Sequence, residues 1–338
     1  MNHTLIHNKL SHWYDRHHRI LPWRETRDPY LIWVSEIILQ QTRVNQGLGY
    51  YLRFVDRFPD VSSLASASED EVLLYWQGLG YYSRARNMHK ASKIIVEHEG
   101  QLAHREDIYD FLLSLPGVGE YTAGAIASFA HDLPYPAMDG NVYRVLARLY
   151  DCEIAFDSTA GKKHFRSLAY ELLDREHPGL YNSAIMEFGA LHCTPTSPDC
   201  GSCPIQECCM AYAHHTVELL PVRKPRMSLR ERYFNYTIYC TADMRTLLRQ
   251  RMEKDIWHHL YEFPLVEAES LIDVPKGVAS VDLTHVLSHQ RIRARFQIKK
   301  VSELPQIPNT IVVSMSMLDD YALSRLTLRA LELIGQSL

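Results

Sequence analysis

The chain has 338 residues, 46% of them hydrophobic and 22% charged, with 36 Lys and Arg against 40 Asp and Glu and a net charge of −4 with His neutral. That length allows about two domains, the composition is that of a globular protein, and no apolar run approaches the ~18 residues of a membrane helix, which argues against a spanning protein. A negative total lacks the basic footprint of a nucleic-acid binder, but local patches do the binding, and basic residues cluster at Arg84 and Arg86, at Arg144 and Arg148, from Arg223 to Arg232 and from Arg291 to Lys300.

The N-terminal stretch MNHTLIHNKLSHWYDRHHR is polar and His-rich. It lacks the apolar core of a signal peptide, so a cytoplasmic location is expected, on the nucleoid if the cell is bacterial. Glu36 follows in Ile32-Trp33-Val34-Ser35-Glu36-Ile37-Ile38-Leu39. A lone carboxylate in so apolar a run sits on a solvated helix face or inside. If buried, its pKa rises and it can serve as a general acid near neutral pH. Leu64, Val72, Leu73, Trp76 and Leu79 lie at helical spacings. Trp23, Gln41, Tyr81 and Tyr82 either pack in the core or stack on and wedge between bases.

Tyr109–Leu115 and Tyr121–Ala130 read as helices flanking Leu115-Pro116-Gly117-Val118-Gly119. A glycine-rich turn before a helix exposes backbone N–H groups at the positive end of the helix dipole. It is either a simple helix–helix turn or a hairpin that holds a DNA phosphate without reading sequence. Asp139-Gly140-Asn141-Val142 precedes another helical stretch, where Asp139 or Asn141 alone reads as an N-cap. Paired with Glu36, Asp139 gains a second meaning. Cutting an N-glycosidic bond needs an acid for the leaving base and a negative charge near the developing sugar cation. Ser167–Leu173 and Tyr181–Leu191 repeat the helical pattern.

There are seven cysteines, and four form the set Cys193-x6-Cys200-x2-Cys203-x5-Cys209. In an intracellular protein such crowding reads as metal or cluster ligation. Four thiolates suit an iron–sulfur cluster or Zn, and spacing alone does not choose. Cys208 sits beside Cys209 and could replace it. The texture then changes: residues 214–232 hold Pro221, Pro225 and five Arg or Lys, as in an exposed linker. Tyr233–Cys240 is rich in aromatic and β-branched residues. Gln290–Ile298 alternates Ile292, Ala294, Phe296 and Ile298 against Arg291, Arg293, Arg295 and Gln297, a strand with one solvated, basic face. Leu323–Ile334 reads as a closing helix. The expected order is a helical domain over 1–213, a linker over 214–232 and an α+β domain over 233–338.

Together these segments resemble the MutY-type adenine DNA glycosylases of the helix-hairpin-helix superfamily, over essentially the full chain. The landmarks are Leu21-Pro22-Trp23-Arg24, Val34–Thr42, Gly78–Arg86, Leu115–Gly119, Met138–Val142 and the cysteine set. The resemblance implies an all-α glycosylase domain with a 4Fe–4S cluster loop at 193–209, followed by an α+β Nudix-like domain. It implies Cys193, Cys200, Cys203 and Cys209 as the iron ligands, and Gly117, Val118 and Gly119 at the DNA backbone. Glu36 matches the acid that protonates adenine at N7. Asp139 matches the carboxylate that stabilises or traps the sugar cation, with Asn141 in support. Trp23, Arg24 and Glu187 match the pocket for the flipped adenine, which must leave the stack to be reached. Gln41 and Tyr81 match residues inserted around 8-oxoguanine.

Tyr121 stands where endonuclease III-type relatives carry a Schiff-base lysine. Tyrosine forms no imine, so the resemblance implies a monofunctional enzyme that leaves the backbone largely intact. The family's Phe-Ser-His element for 8-oxoguanine is here Leu287-Ser288-His289, and the change to Leu puts any aromatic contact in doubt. The expected partner is double-stranded DNA with an 8-oxoguanine:A or G:A mispair, bound by a monomer away from membranes. Three other readings compete. Tyr121 argues against a strand-cleaving glycosylase for oxidised pyrimidines. A non-catalytic iron–sulfur protein leaves Glu36 and Asp139 without purpose. A nucleotide pyrophosphohydrolase would need the Arg-Glu-x-x-Glu-Glu box that is absent here.

Overall fold

The computed structural model describes residues 2–98, 102, 107–225 and 228–335; Arg226 and Met227 of the expected linker lie outside the described residues. The helices in chain order are α1 (His3–His17), α2 (Pro29–Leu39), α3 (Val44–Arg57), α4 (Val61–Ser66), α5 (Glu69–Trp76), α6 (Ser83–Glu97), α7 (Ile108–Ser114), α8 (Glu120–His131), α9 (Gly140–Leu149), α10 (Thr159–Leu172), α11 (Pro178–Leu191) and α12 (Met210–Ala213). The strands are β1 (Arg230–Cys240), β2 (Arg245–Gln250), β3 (Tyr261–Glu262), β4 (Leu265–Ala268), β5 (Ser280–Val286), β6 (Gln290–Lys300) and β7 (Thr310–Ser314), and α13 (Arg325–Gly335) closes the fold. Among the described residues no strand precedes Arg230, and no helix is long and apolar enough to cross a membrane.

Contacts divide the chain into two compact units. One holds the chain up to Ala65 and Lys90–Pro225; the other holds Ser66–His89 and the C-terminal part. The second unit takes in residues 66–89, which the sequence analysis put with the helical part. Helix α5 ends at Trp76, so Leu79 lies beyond it in a turn. Structure also enters the expected linker, with a short 3-10 turn at Val217–Leu219 and the first residues of β1.

In the first unit α2 is apolar on every side. Tyr30, Ile32, Trp33, Val34, Ile37 and Ile38 are all buried, and a helix of that kind belongs inside. Burial stabilises by about 1.5–3 kcal/mol for each large apolar side chain. Asp28 caps its start, accepting from Tyr30 N–H at 2.8 Å, and Pro29 occupies the first turn, where no N–H is needed. Helices α3 and α8 pack on α2. A second cluster gathers Leu10 and Trp13 of α1, Leu146 of α9, Phe165 of α10 and Phe188 of α11, with the cysteine loop packed against it.

In the second unit one sheet runs β4-β1-β6-β5 and another β3-β2-β7. β1 and β6 pair in parallel, placing Phe234 beside Ala294 and Tyr236 beside Phe296, whose rings stack at 4.5 Å. Ile292, Ala294, Phe296 and Ile298 face the core that α13 covers, as the alternation predicts. The opposite face is less basic than its composition suggests. Arg291 and Arg293 pair with Glu231 at 2.9 Å, and Arg295 pairs with Asp282 at 2.6 Å.

Candidate active site

The first unit holds an open cavity of about 830 Å³ whose walls include Trp23, Arg24, Glu36, Tyr121, Asp139 and Glu187. That is within the usual range for small-molecule pockets. These residues arrive from five elements: Trp23 and Arg24 from a 3-10 turn at Pro22–Arg24, Glu36 from α2, Tyr121 from the first turn of α8, Asp139 from the cap of α9 and Glu187 from α11.

Glu36 is only 5% exposed, because the helix that carries it has no polar face to offer. Burial pushes its carboxyl up to about 7, the nearby charge of Asp139 adds to the rise, and Tyr121 and Arg24 oppose it. The Tyr121 hydroxyl donates to Glu36 Oε2. Burial, and then the Glu36 charge, hold that phenol well above its usual range, so Tyr121 is a neutral donor.

Asp139 is both N-cap and site residue. Its Oδ1 accepts from the N–H groups of Asn141 and Val142, each at 2.8 Å, and its Oδ2 accepts from Asn141 Nδ2 at 2.7 Å. Burial raises its pKa against those hydrogen bonds, which lower it. Asn141 Oδ1 in turn accepts from Arg144 Nη2 at 2.9 Å, and Arg144 is tied to Gly189 O at 2.6 Å and Cys193 O at 2.8 Å. Only glycine fits at 189, since a Cβ there would lie 2.8 Å from Asn141 Cβ and 3.0 Å from its carbonyl oxygen.

Glu187 is 1% exposed and doubly paired. Arg19 grips it in a fork, Nε to Oε1 at 2.7 Å and Nη2 to Oε2 at 2.8 Å, and Arg24 Nη2 reaches Oε2 at 2.7 Å. Burial alone would push the carboxyl up, but the two arginines outweigh it and hold it at about 2, so it remains a carboxylate. Arg24 Nη1 is buried with no hydrogen-bond partner among the described residues. Trp23 is buried on the same wall, edge-on to Tyr51. Arg19 was missed by sequence reasoning, since a lone Arg in a polar segment carries no local signal.

Gln41 lines the cavity too, exposed and left-handed at φ 56°. The Leu115–Gly119 turn joins α7 to α8, with Gly117 at φ 80° and Gly119 as an N-cap that has no side chain to occupy the first-turn N–H groups. Gly117 and Gly119 are exposed and Val118 is buried.

Cys193, Cys200, Cys203 and Cys209 line one small cavity against α9 and α11, and none is in a disulfide. Cys208 lies outside that lining. Burial pushes the Cys203 thiol up to about 12 and raises Cys200 and Cys209, so only bound cationic metal would keep them as thiolates. Among the described residues no three such side chains are arranged around a single ion. Four thiols at one cavity are a donor set that suits an iron–sulfur cluster or Zn. Arg148 is 2% exposed and threads the loop, donating to Cys193 Sγ at 3.3 Å, Thr194 O at 2.7 Å, Pro195 O at 3.2 Å and Val217 O at 3.1 Å. Arg144 and Arg148 are therefore internal braces and not part of an exposed basic patch.

Three of the expected residues lie together in the second unit. Leu287-Ser288-His289 is the turn between β5 and β6, closed by Leu287 N–H to Gln290 O at 2.8 Å. Ser288 and His289 are exposed, while Leu287 packs toward the sheet core. Tyr81, also in this unit, is 45% exposed at φ 47°.

Residues 34–168 match the model of the HhH-GPD superfamily base excision DNA repair proteins, and residues 235–333 match a NUDIX domain. Adenine DNA glycosylase of Mus musculus is 44% identical over 218 residues, covering 62% of this chain but only 42% of the mouse protein. Adenine DNA glycosylase of Buchnera aphidicola subsp. Schizaphis graminum is 37% identical over 259 residues, covering 75% of this chain and 73% of its own. The chain belongs to the adenine DNA glycosylase family. A thermostable thymine-DNA glycosylase shares its fold at 24% identity with a TM-score of 0.55, covering 63% of this chain and 97% of that one. An endonuclease III–DNA complex does so at 21% and 0.53, covering 64% and 98%. The architecture is thus a helix-hairpin-helix part followed by a Nudix-like part with strands. Within this adenine DNA glycosylase family chain, the HhH-GPD stretch holds Glu36, Tyr121, Asp139 and Asn141, the NUDIX stretch holds the Ser288-His289 turn, and the cysteine loop lies between the two.

Proposed function

We propose that the protein is a monofunctional glycosylase that excises adenine paired with 8-oxoguanine or guanine in duplex DNA, acting as a cytoplasmic or nucleoid-bound monomer. The observation that carries this reading is the buried Glu36, kept protonated near neutral pH, in one cavity with the capped carboxylate of Asp139. A flipped adenine enters between Trp23 and the Arg24–Glu187 pair, and the buried, unpartnered Arg24 Nη1 offers it a donor. Glu36 gives its proton to adenine N7. The N9–C1′ bond then breaks with its electron pair going to the base, which leaves neutral. Asp139 faces the sugar cation that remains, and water completes the hydrolysis. Asn141 and Arg144 keep Asp139 aimed, and Tyr121, a phenol already engaged by Glu36, forms no imine.

Gly117, Val118 and Gly119 hold a phosphate, Gln41 and Tyr81 enter the duplex, and the Leu287-Ser288-His289 turn reads 8-oxoguanine. Cys193, Cys200, Cys203 and Cys209 hold a 4Fe–4S cluster, which when bound ties the 193–209 loop together. The test is a labelled 8-oxoguanine:A duplex incubated with the protein, then split with or without hot alkali. Strand breaks only after alkali are expected. Breaks without alkali would mean strand cleavage, and none under either condition would overturn the reading.

A further inference from the structure

The turn that presents Tyr81 is latched to the C-terminal part of the chain through a main chain, not through a side-chain pocket. Leu323, just before α13, commits both of its backbone groups to it. Its N–H donates to Gln77 Oε1 at 2.7 Å, and its carbonyl accepts from the Tyr82 hydroxyl at 3.3 Å. The same hydroxyl accepts from Gly78 N–H at 3.2 Å, so one oxygen joins the turn to Leu323. Between these anchors the backbone is left-handed at Gly78 (φ 95°), Gly80 (φ 74°) and Tyr81 (φ 47°). Tyr81 carries the strain of a side chain in that region, a state that persists only where surroundings hold it. Trp76 Nε1 and Arg84 Nη2 both donate to Gly80 O at 3.1 Å, and the Arg84 guanidinium lies over the Tyr81 ring.

A second grip comes from the loop after β2. Arg86 Nη1 donates to His258 O at 2.7 Å, and Asp70 accepts from Gln250 Nε2 at 3.0 Å and the Tyr261 hydroxyl at 3.1 Å. His259 pairs with Glu69 while itself left-handed at φ 66°. A stretch inside the HhH-GPD match is thereby held by residues of the NUDIX match.

We propose that Gln77 and Tyr82, latched to Leu323, are positioning residues that hold Tyr81 ready for insertion, so that the C-terminal part governs base extrusion as well as lesion reading. This rests on the proposed insertion of Tyr81. The test uses the full-length protein on an 8-oxoguanine:A duplex with 2-aminopurine beside the lesion, a base that brightens when unstacked. Single-turnover excision and fluorescence are read together. Tyr82→Phe keeps the ring and removes the shared hydroxyl; it should lower both signals roughly tenfold, as misplaced groups do. Gln77→Ala should act likewise, and Gln77→Glu, which keeps an acceptor for Leu323 N–H, should recover most of the loss. In a Tyr81→Ala background, Tyr82→Phe should cost nothing more, since both act through one ring. Unchanged signals in Tyr82→Phe and Gln77→Ala would overturn the latch. So would a full additional loss in the Tyr81→Ala background, which leaves Tyr81 insertion standing. If Tyr81→Ala alone behaves as wild type, the insertion reading falls and the latch with it.

Discussion

A glutamate in water loses its proton near 4.5, whereas Glu36 holds its proton up to about 7. That shift bears on the proposed activity and on stability, and both signs can be worked out. The folded pKa lies above the unfolded one, so the native state binds protons more tightly. The stability contributed is full below the unfolded value and is lost as pH rises through about 7. Glu187 runs the other way. Its folded pKa of about 2 gives stability above the unfolded value that disappears as pH falls toward 2. Glu36→Gln should therefore lower single-turnover excision by at least ~10²–10⁴-fold while DNA binding persists, because the amide delivers no proton. The same variant should be more stable than wild type at pH 8, by at most about 3 kcal/mol, and melt at a correspondingly higher temperature, with the gap closing toward pH 5. Melting curves at both pH values check this, and a variant less stable at pH 8 would contradict the burial argument. The interior position of Glu36 was legible in principle, since α2 is apolar on all sides. Arg19 was not legible: its partner Glu187 lies 168 residues away, and no local pattern announces so distant a pair.

Helix α9 shows why charge counts mislead at the level of elements. Arg144 and Arg148 are one turn apart, which reads equally as a basic stripe or a brace. The fold makes them a brace, because α9 lies buried between Asp139 and the cysteine loop. Arg84 is buried under the same ambiguity, and the arginines of β6 are matched by Glu231 and Asp282. Sequence shows where charges are, not which acids meet them. Cysteine spacing is stronger evidence because ligands of one centre must lie close together wherever the chain runs. Cys203→Ser should remove the broad visible absorbance of a 4Fe–4S cluster. Arg148→Met, which removes no ligand, should weaken that absorbance and lower the melting temperature. It removes the donor that Thr194, Pro195 and Val217 carbonyls share, all in part-buried hydrogen bonds, so the loss at each falls at or below the ~1–3 kcal/mol of a fully buried unpaired group. Absorbance and iron content of the purified proteins decide it. A colourless wild-type protein holding Zn would refute the cluster.

At the scale of the whole molecule the proposed function divides the task between a candidate adenine pocket in the first unit and a candidate lesion-reading turn in the second. The core face of β6 was legible from alternation and β1 from its aromatic and β-branched residues, whereas β2, β3, β4 and β7 are short, irregular in pattern and defined by pairing with distant partners. 8-Oxoguanine differs from guanine by an O8 carbonyl and an N7–H, and a reader must touch those atoms. Leu287 turns toward the core, which leaves Ser288 Oγ and the His289 ring, 3.1 Å apart, as the exposed polar groups of the turn. Gln290 Nε2 lies 3.0 Å from His289 Nε2 and steadies the ring. Because Arg291, Arg293 and Arg295 are already paired with acids, this face has little free charge for phosphate. The turn should then contribute recognition and little general affinity. Replacing Ser288 and His289 with Ala should cut the preference for 8-oxoguanine:A over G:A by ~1–3 kcal/mol, roughly 5- to 150-fold in the ratio of rates. Excision at G:A should stay within a few-fold, and the salt dependence of binding should hold steady, since no phosphate contact is lost. Single-turnover rates on the two duplexes and binding at two salt concentrations measure both. An equal loss on both substrates, or a shallower salt slope, would mean that the turn supports folding or general DNA binding, and lesion reading would have to be sought elsewhere in the strand-containing unit.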